Sequence, residues 1–322
     1  MSGTGGFQTQ VTSQPAPAVA GDFASQNPYF SYDAGDGGLV AGSAGVTIGR
    51  FAWVYPPLDS DNAPQVALNS GWGPVTGFVH REQQGLITNF LGFAGMVIPK
   101  GFQMTLMNGG DFWVVNDGST TAQMGQKAFA NLNTGQVSFG TAGSPPSSAT
   151  DSGGAVVNTT LTLVGGVVDN VLTVASVSAG VVYPGAVLSS NAVGVVQPYG
   201  SGGTTGTGGA GTYLLSIGEQ TVAAGTTIGG NYGVYTVGTA TGTFTVGMLL
   251  TGGTTLPTVP PPALTVLISG TGGNGSTFAT SGGAVAQTSH ALVGSSSVET
   301  KWYAMSQGIA GELIKISDHP TG

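Results

Sequence analysis

Glycine interrupts this chain too often for long regular helices: 58 of the 322 residues are glycine, and the apolar runs between them are short. LTLV at 161–164, VLTVASV at 171–177, TYLLSI at 212–217 and LTVLI at 264–268 are β-branched or alternating, each bounded by Gly-rich turns. That is the pattern of half-buried strands. Glycine loses most backbone entropy inside a helix and suits turns, so the spacing predicts an all-β protein. One helical alternative stands at REQQGLITNFL (81–91), where Leu86, Ile87, Phe90 and Leu91 have helical spacing. Gly85, Thr88 and Asn89 weaken it, and a strand continuing from GFVH fits equally well. Apolar residues at 40% leave enough area for cores although only 6% of residues are charged.

Charge divides the chain. No lysine or arginine occurs between Lys127 and Lys301, and from 141 to 295 only Asp151, Asp169 and Glu219 are charged. This interior segment opens at GSPPSSATDSGG, a linker by composition. The flanks share aromatic-rich strands (RFAWVY, DFWVV, ETKWYAM). The expectation is a discontinuous base domain, 1–140 plus 296–322, of β-sandwich type, with an extended arm at 1–22. Residues 141–295 are expected to form an inserted β domain. That insert repeats itself: NVLTV (170–174) against GVYTV (233–237), Pro184-Gly185 against Val246-Gly247, Val187-Leu188 against Leu249-Leu250, and GTGGAG (206–211) against GTGGNG (270–275).

A net charge of −8 with six basic residues provides no stripe to replace phosphate counterions, which excludes nucleic acid as a partner. Zero cysteine removes disulfides, thiolate metal sites and thiol nucleophiles. The first ten residues, MSGTGGFQTQ, carry no basic n-region or apolar h-region, and no apolar run approaches a membrane span. A soluble chain with no membrane partner is expected.

The two GxGxxG matches, Gly206–Gly211 and Gly270–Gly275, lie in repeated glycine-rich turns without the strand-to-helix context of a phosphate loop. His80, His290 and His319 are remote from one another, and GxSxG is absent. Asp33/Asp36 and Asp59/Asp61 sit in Gly- or Pro-rich loops and read as turn formers. No catalytic, cofactor or metal residues are therefore assigned, and the chain reads as no enzyme. Trp113 reads as core within DFWVV. The densest polar run, His80, Arg81, Glu82, Gln83 and Gln84, is the candidate subunit contact set, with Arg81 and Glu82 fixing register between subunits. The Pro-containing N-terminal arm supplies further candidates, Gln14, Pro15, Pro17 and Phe23, able to add to a neighbour's sheet edge.

QPAPAVAGDFAS (14–25), GGLVAGSAGVTIGRFAWV (37–54), GFVHREQQGLIT (77–88), VIPKGF (97–102), GDFWVVND (110–117), ETKWY (299–303) and GELIKIS (311–317), in that order, resemble the structural cement proteins of tailed bacteriophages. The resemblance covers about the first 140 residues and the last 27. It implies a small jelly-roll-like protein that binds over junctions between capsomers. Expected partners are the major capsid protein and further copies of the chain, as dimer or trimer. The expected location is the outer capsid surface of a virion assembled in the host cytoplasm. The interior segment is similar to the Gly/Thr-rich repeat modules of many phage structural proteins, which are usually surface-displayed, and this resemblance implies an insert that projects outward. A rival reading makes that insert a host-binding module, with Tyr183, Tyr199, Tyr213, Tyr232, Tyr235 and Phe244 as a sugar platform. A capsule hydrolase is a third, opposed by the wide separation of the three carboxylates.

Overall fold

The computed structural model describes residues 18–35, 37–42, 44–55, 64–71, 73–81, 95–145, 148–197, 204–245, 248–251, 266–280 and 287–319. Among them there is no α-helix, and hence none long and apolar enough to cross a membrane. The first part of the chain forms β1 (Phe30–Ser31), β2 (Leu39–Ala41), β3 (Val46–Thr47), β4 (Phe51–Tyr55), β5 (Gln65–Leu68), β6 (Gly77–Val79), β7 (Val97–Ile98), β8 (Leu106–Gly109), β9 (Asp111–Val115), β10 (Lys127–Asn131) and β11 (Val137–Gly140). The interior part contributes β12 (Ser148–Asp169), β13 (Val171–Ala179), β14 (Val187–Ser190), β15 (Gly194–Val195), β16 (Gly211–Leu214), β17 (Gln220–Thr236), β18 (Ala240–Thr241), β19 (Leu249–Thr251), β20 (Val266–Ser269), β21 (Thr277–Thr280) and β22 (Gln287–Ser295). β23 (Ser297–Ala304) and β24 (Leu313–Ser317) follow.

Two sheets face each other in the base. One has the order β1-β8-β6-β4-β5-β2 and the other β11-β10-β23-β24-β9, so the second is completed by strands that follow the interior segment. Alternation along β4 explains the layering: Phe51, Trp53 and Tyr55 enter the space between the sheets, and Ala52 points to the opposite face. Between the sheets they meet Phe78, Phe112, Val114, Phe139, Trp302 and Ile316. The far face of the six-stranded sheet is buried too, by Val46, Ile48 and Ile98 around the β3–β7 ribbon. Covering on both faces is why β4 and β6 read as nearly continuous apolar runs.

All of β12–β22 join one eleven-stranded sheet. Its spine is β12 of 22 residues against β17 of 17, antiparallel from Ala155↔Thr236 to Asp169↔Gln220. Two cores lie along it. One gathers Leu161, Leu163, Leu172, Leu188, Tyr213 and Ile228; the other gathers Ala149, Tyr235, Val237, Phe244, Phe278 and Leu292. Leu172 faces Tyr213 across β13–β16, and Tyr235 faces Phe278 across β17–β21. Beyond that the two stretches diverge, since β14 pairs with β17 whereas β19 pairs with β22.

The entry and exit of this sheet are adjacent: Ser148, at the start of β12, is the register partner of Ser295 at the end of β22. Leu214 of β16, 1% exposed, belongs to the same apolar cluster as the aromatic residues of the base. Two sequence expectations change here. Ser148 to Gly154, read as linker, are strand residues of β12. Trp113 is only half-buried, because Phe112 and Val114 take the core side of β9 and the alternation leaves Trp113 on the other.

Candidate functional site

β9 begins with a carboxylate in an otherwise apolar strand, and the site grows from it. Asp111 is 2% exposed, and its Oδ2 accepts hydrogen bonds from Ser25 Oγ (2.6 Å) and Asn27 Nδ2 (2.8 Å), with Lys315 Nζ at 3.7 Å. Burial pushes its pKa up, but the hydrogen bonds from Ser25, Ser317 and Asn27, with the Lys315 charge, outweigh it and hold the carboxyl below the usual range. The preceding residue, Gly110, donates its N–H to Asp318 Oδ1 (2.9 Å) and accepts from Trp302 Nε1 (3.0 Å). Asp318 Oδ2 lies 3.5 Å from Lys301 Nζ. That ammonium also donates to the Asn108 carbonyl and sits 5.1 Å from the Phe30 ring centroid.

Segment 21–27 covers this ladder. Gly21 N–H donates to the Trp113 carbonyl, Trp113 N–H to Asp22, and Ala24 N–H to Asp111, so the segment runs along β9, the outer strand of the five-stranded sheet. The expectation that the arm adds to a neighbour's edge is therefore changed for the described part: it pairs with its own sheet, where β9 offers an otherwise open edge. Phe23 is thereby packed at tilted ring angles among Tyr29 (4.6 Å), His80 (5.2 Å) and Phe112 (5.4 Å). Asp22 Oδ1 lies 3.6 Å from Arg81 Nη1. The structure thus unites two groups that the sequence suggested separately, the arm's Phe23 and the His80–Arg81 pair. It gives Arg81 a carboxylate partner within its own chain. Glu82, Gln83, Gln84, Gln14, Pro15 and Pro17 lie outside the described residues, as does the 81–91 helix-or-strand question beyond Arg81.

The outcome is a face with unusual chemistry for this chain. Three of its six basic side chains, Arg81, Lys301 and Lys315, converge here with Asp22, Asp111 and Asp318. Beside them three aromatic rings remain open to solvent: Phe23 at 39%, Tyr29 at 57% and Phe30 at 49%. Phe30 lies against Gly109, where a Cβ would stand 2.3 Å from its ring, so glycine is required for the ring to lie flat on β8. Asp111, Asp318 and His319 also bring one potential metal-ligand atom each within 4.8 Å of one another. Sequence reasoning missed Asp111, Lys301, Lys315, Asp318 and His319. The available signal was the lone aspartate opening DFWVV.

The interior sheet presents a different picture. Tyr213, Tyr232, Tyr235 and Phe244 are buried, Tyr183 is half-buried against Tyr232, and Tyr199 lies outside the described residues. The proposed sugar platform is therefore mostly core. Asp151, 3% exposed, accepts from the Tyr235 hydroxyl and from the N–H groups of Gly238 (2.9 Å), Thr239 (2.6 Å) and Gly153 (3.3 Å). An open groove between Ala18–Ala20, Thr47–Arg50 and Leu313 has few converging polar groups, the feature that fixes a small ligand.

A family model described as XM1 gp53 minor capsid protein matches residues 7–179. The match spans β1–β11 and continues through β12 and β13. No curated protein and no solved structure matches the chain.

Proposed function

The chain belongs to the XM1 gp53 minor capsid protein family and is a structural protein of a phage capsid, and from that premise we propose that it cements the outer surface of the shell, docking through the Phe23–Tyr29–Phe30 face. The observation that carries this reading is the exposure of those three rings in a chain whose other large aromatic side chains are mainly core, beside half of its cations. Aromatic and basic side chains are the anchors enriched at protein interfaces, because each buries a large area with few rotors or forms directed hydrogen bonds. A cement protein needs no chemistry beyond this: many copies, each burying area across a capsomer junction, add their contributions on one shell. The partners are the major capsid protein and neighbouring copies of the chain. Attachment to host glycans by the interior sheet is disfavoured, since the rings it would use fill that sheet's own cores.

Tyr29→Ser and Phe30→Ser are each expected to lower occupancy on heads lacking the protein by about tenfold in affinity, roughly 1–2 kcal/mol per anchor. Both residues are about half exposed, so the variants should keep the wild-type melting temperature. Occupancy of the wild type should change little between about 50 and 500 mM NaCl, because screening acts mainly on separated, exposed charges. Normal attachment by the Tyr29→Ser/Phe30→Ser double variant, or release by moderate salt, would remove the basis for this docking face.

The adjacency of Ser148 and Ser295 leads to a second expectation about the role of the large sheet. Replacing 141–295 with a short Gly/Ser linker should leave a folded, head-binding base, since the chain enters and leaves the large sheet at strand neighbours, Ser148 and Ser295, about 5 Å apart. Loss of Leu214 should cost the base about 2 kcal/mol of packing. Soluble, folded protein that no longer binds heads would show that the large sheet takes part in attachment.

A further inference from the structure

We propose that Asp111, Asp318 and His319 form a binding site for a divalent first-row metal ion, with Zn²⁺ as its best match. The ladder creates the site: Ser317 of β24 is the register partner of Asp111 on β9, so the two residues that follow Ser317 emerge beside the Asp111 carboxylate. One ligand atom from each of the three lies within 4.8 Å of the others, so modest side-chain rotation would bring them to the roughly 3.5 Å separations that a tetrahedral ion with Zn–O and Zn–N bonds of about 2.0–2.2 Å requires. An independent observation points to the same place. Among the described residues few buried side-chain atoms lack a hydrogen-bond partner, and two of them are Asp111 Oδ1 and His319 Nδ1. The Asp111 side chain is 1% exposed, so no water compensates its Oδ1. His319 Nδ1 lies 2.8 Å from Asp318 Oδ1 without hydrogen-bond geometry.

The lysines around the site are arranged to permit this. Lys315 and Lys301 approach the Oδ2 atoms of Asp111 and Asp318, and both are partly exposed side chains that can turn to water when a cation takes over neutralisation. Ser25 and Asn27 hold Asp111 from behind by hydrogen bonds, the outer-shell support that ligating carboxylates require. One imidazole nitrogen with two carboxylate oxygens suits Zn²⁺ or Mn²⁺; Ca²⁺ and Mg²⁺ favour oxygen alone. Three protein ligands leave one position of a tetrahedral ion to water. A bound ion would tie segment 22–27, β9 and the end of β24 into one unit. This inference concerns the free protein and stands apart from the docking reading.

The test is isothermal titration of the purified full-length protein with ZnCl₂, CaCl₂ or MgCl₂ near neutral pH. One Zn²⁺ per chain is expected, with no comparable response to Ca²⁺ or Mg²⁺. His319→Ala and Asp318→Asn should each weaken Zn²⁺ binding by at least about tenfold, and His290→Ala should leave it unchanged. His319 is 40% exposed in its side chain, so its alanine variant should fold and decides the matter if Asp318→Asn does not. Absence of saturable Zn²⁺ binding, or binding retained in full by His319→Ala, would overturn the proposal.

Discussion

Replacing Asp151 with asparagine is expected to destabilise the eleven-stranded sheet by about 2–4 kcal/mol while leaving the base unchanged. The carboxylate is buried and accepts four hydrogen bonds, three of them from backbone N–H groups, that of Gly153 in its own strand and those of Gly238 and Thr239 just after β17. Asparagine turns an acceptor into a donor facing donors, and each stranded buried group costs about 1–3 kcal/mol. The same group sets an acid limit. Burial raises the Asp151 pKa, but the Tyr235 hydroxyl and the backbone N–H groups bring it below its ordinary value of 3.8. Burial, and then the Asp151 carboxylate, push the Tyr235 phenol up. A carboxylate depressed in the folded state contributes stability that is complete above its unfolded pKa and is lost as pH falls through the folded one. The large sheet should therefore hold its wild-type advantage over Asp151→Asn at neutral pH and lose it progressively below about pH 4. Calorimetry read with fluorescence separates the parts, because all four tryptophans, Trp53, Trp72, Trp113 and Trp302, lie outside 148–295. A variant as stable as wild type at pH 7 would mean the carboxylate's hydrogen bonds are replaceable by water.

Trp302→Ala should have the opposite distribution. Its ring is 1% exposed, packs 5.2 Å from Phe51 and is tied by Nε1 to the Gly110 carbonyl. Truncation of a buried tryptophan removes about 3–5 kcal/mol. It also releases Gly110, which positions Asp318. The base transition should fall sharply, capsid attachment should go with it, and the transition of the large sheet should remain. If both transitions move together in both variants, the Leu214 contact couples the two parts into one cooperative unit.

The all-β class was readable because glycine and alternating apolar residues leave few alternatives, and β4, β9 and β13 lie where their patterns indicate. The length of β12 was not. Gly153, Gly154, Gly165 and Gly166 look like turns in sequence, yet all four are strand residues. At Gly165 a Cβ would stand 2.4 Å from the Thr173 carbonyl, so glycine here permits close approach of β13. In a sheet this crowded, glycine marks proximity as often as reversal, and composition cannot tell the two apart. The candidate site was half legible. Phe23, His80 and Arg81 carried local signals, but Asp111, Lys301 and Asp318 acquire meaning only through β9–β24 pairing across some two hundred residues, which no local pattern encodes.

The topology of the five-stranded sheet also orders events during translation. β10 waits for β23, its register partner from Lys127↔Tyr303 to Asn131↔Ser297, and β9 waits for β24. Everything in β12–β22 is synthesised in between, and its strands pair among themselves, so the large sheet can form on the ribosome while two strands of the base are still missing. The face that carries Phe30, Lys301 and Asp318 exists only once synthesis has passed residue 318. A nascent or prematurely terminated chain has no such face.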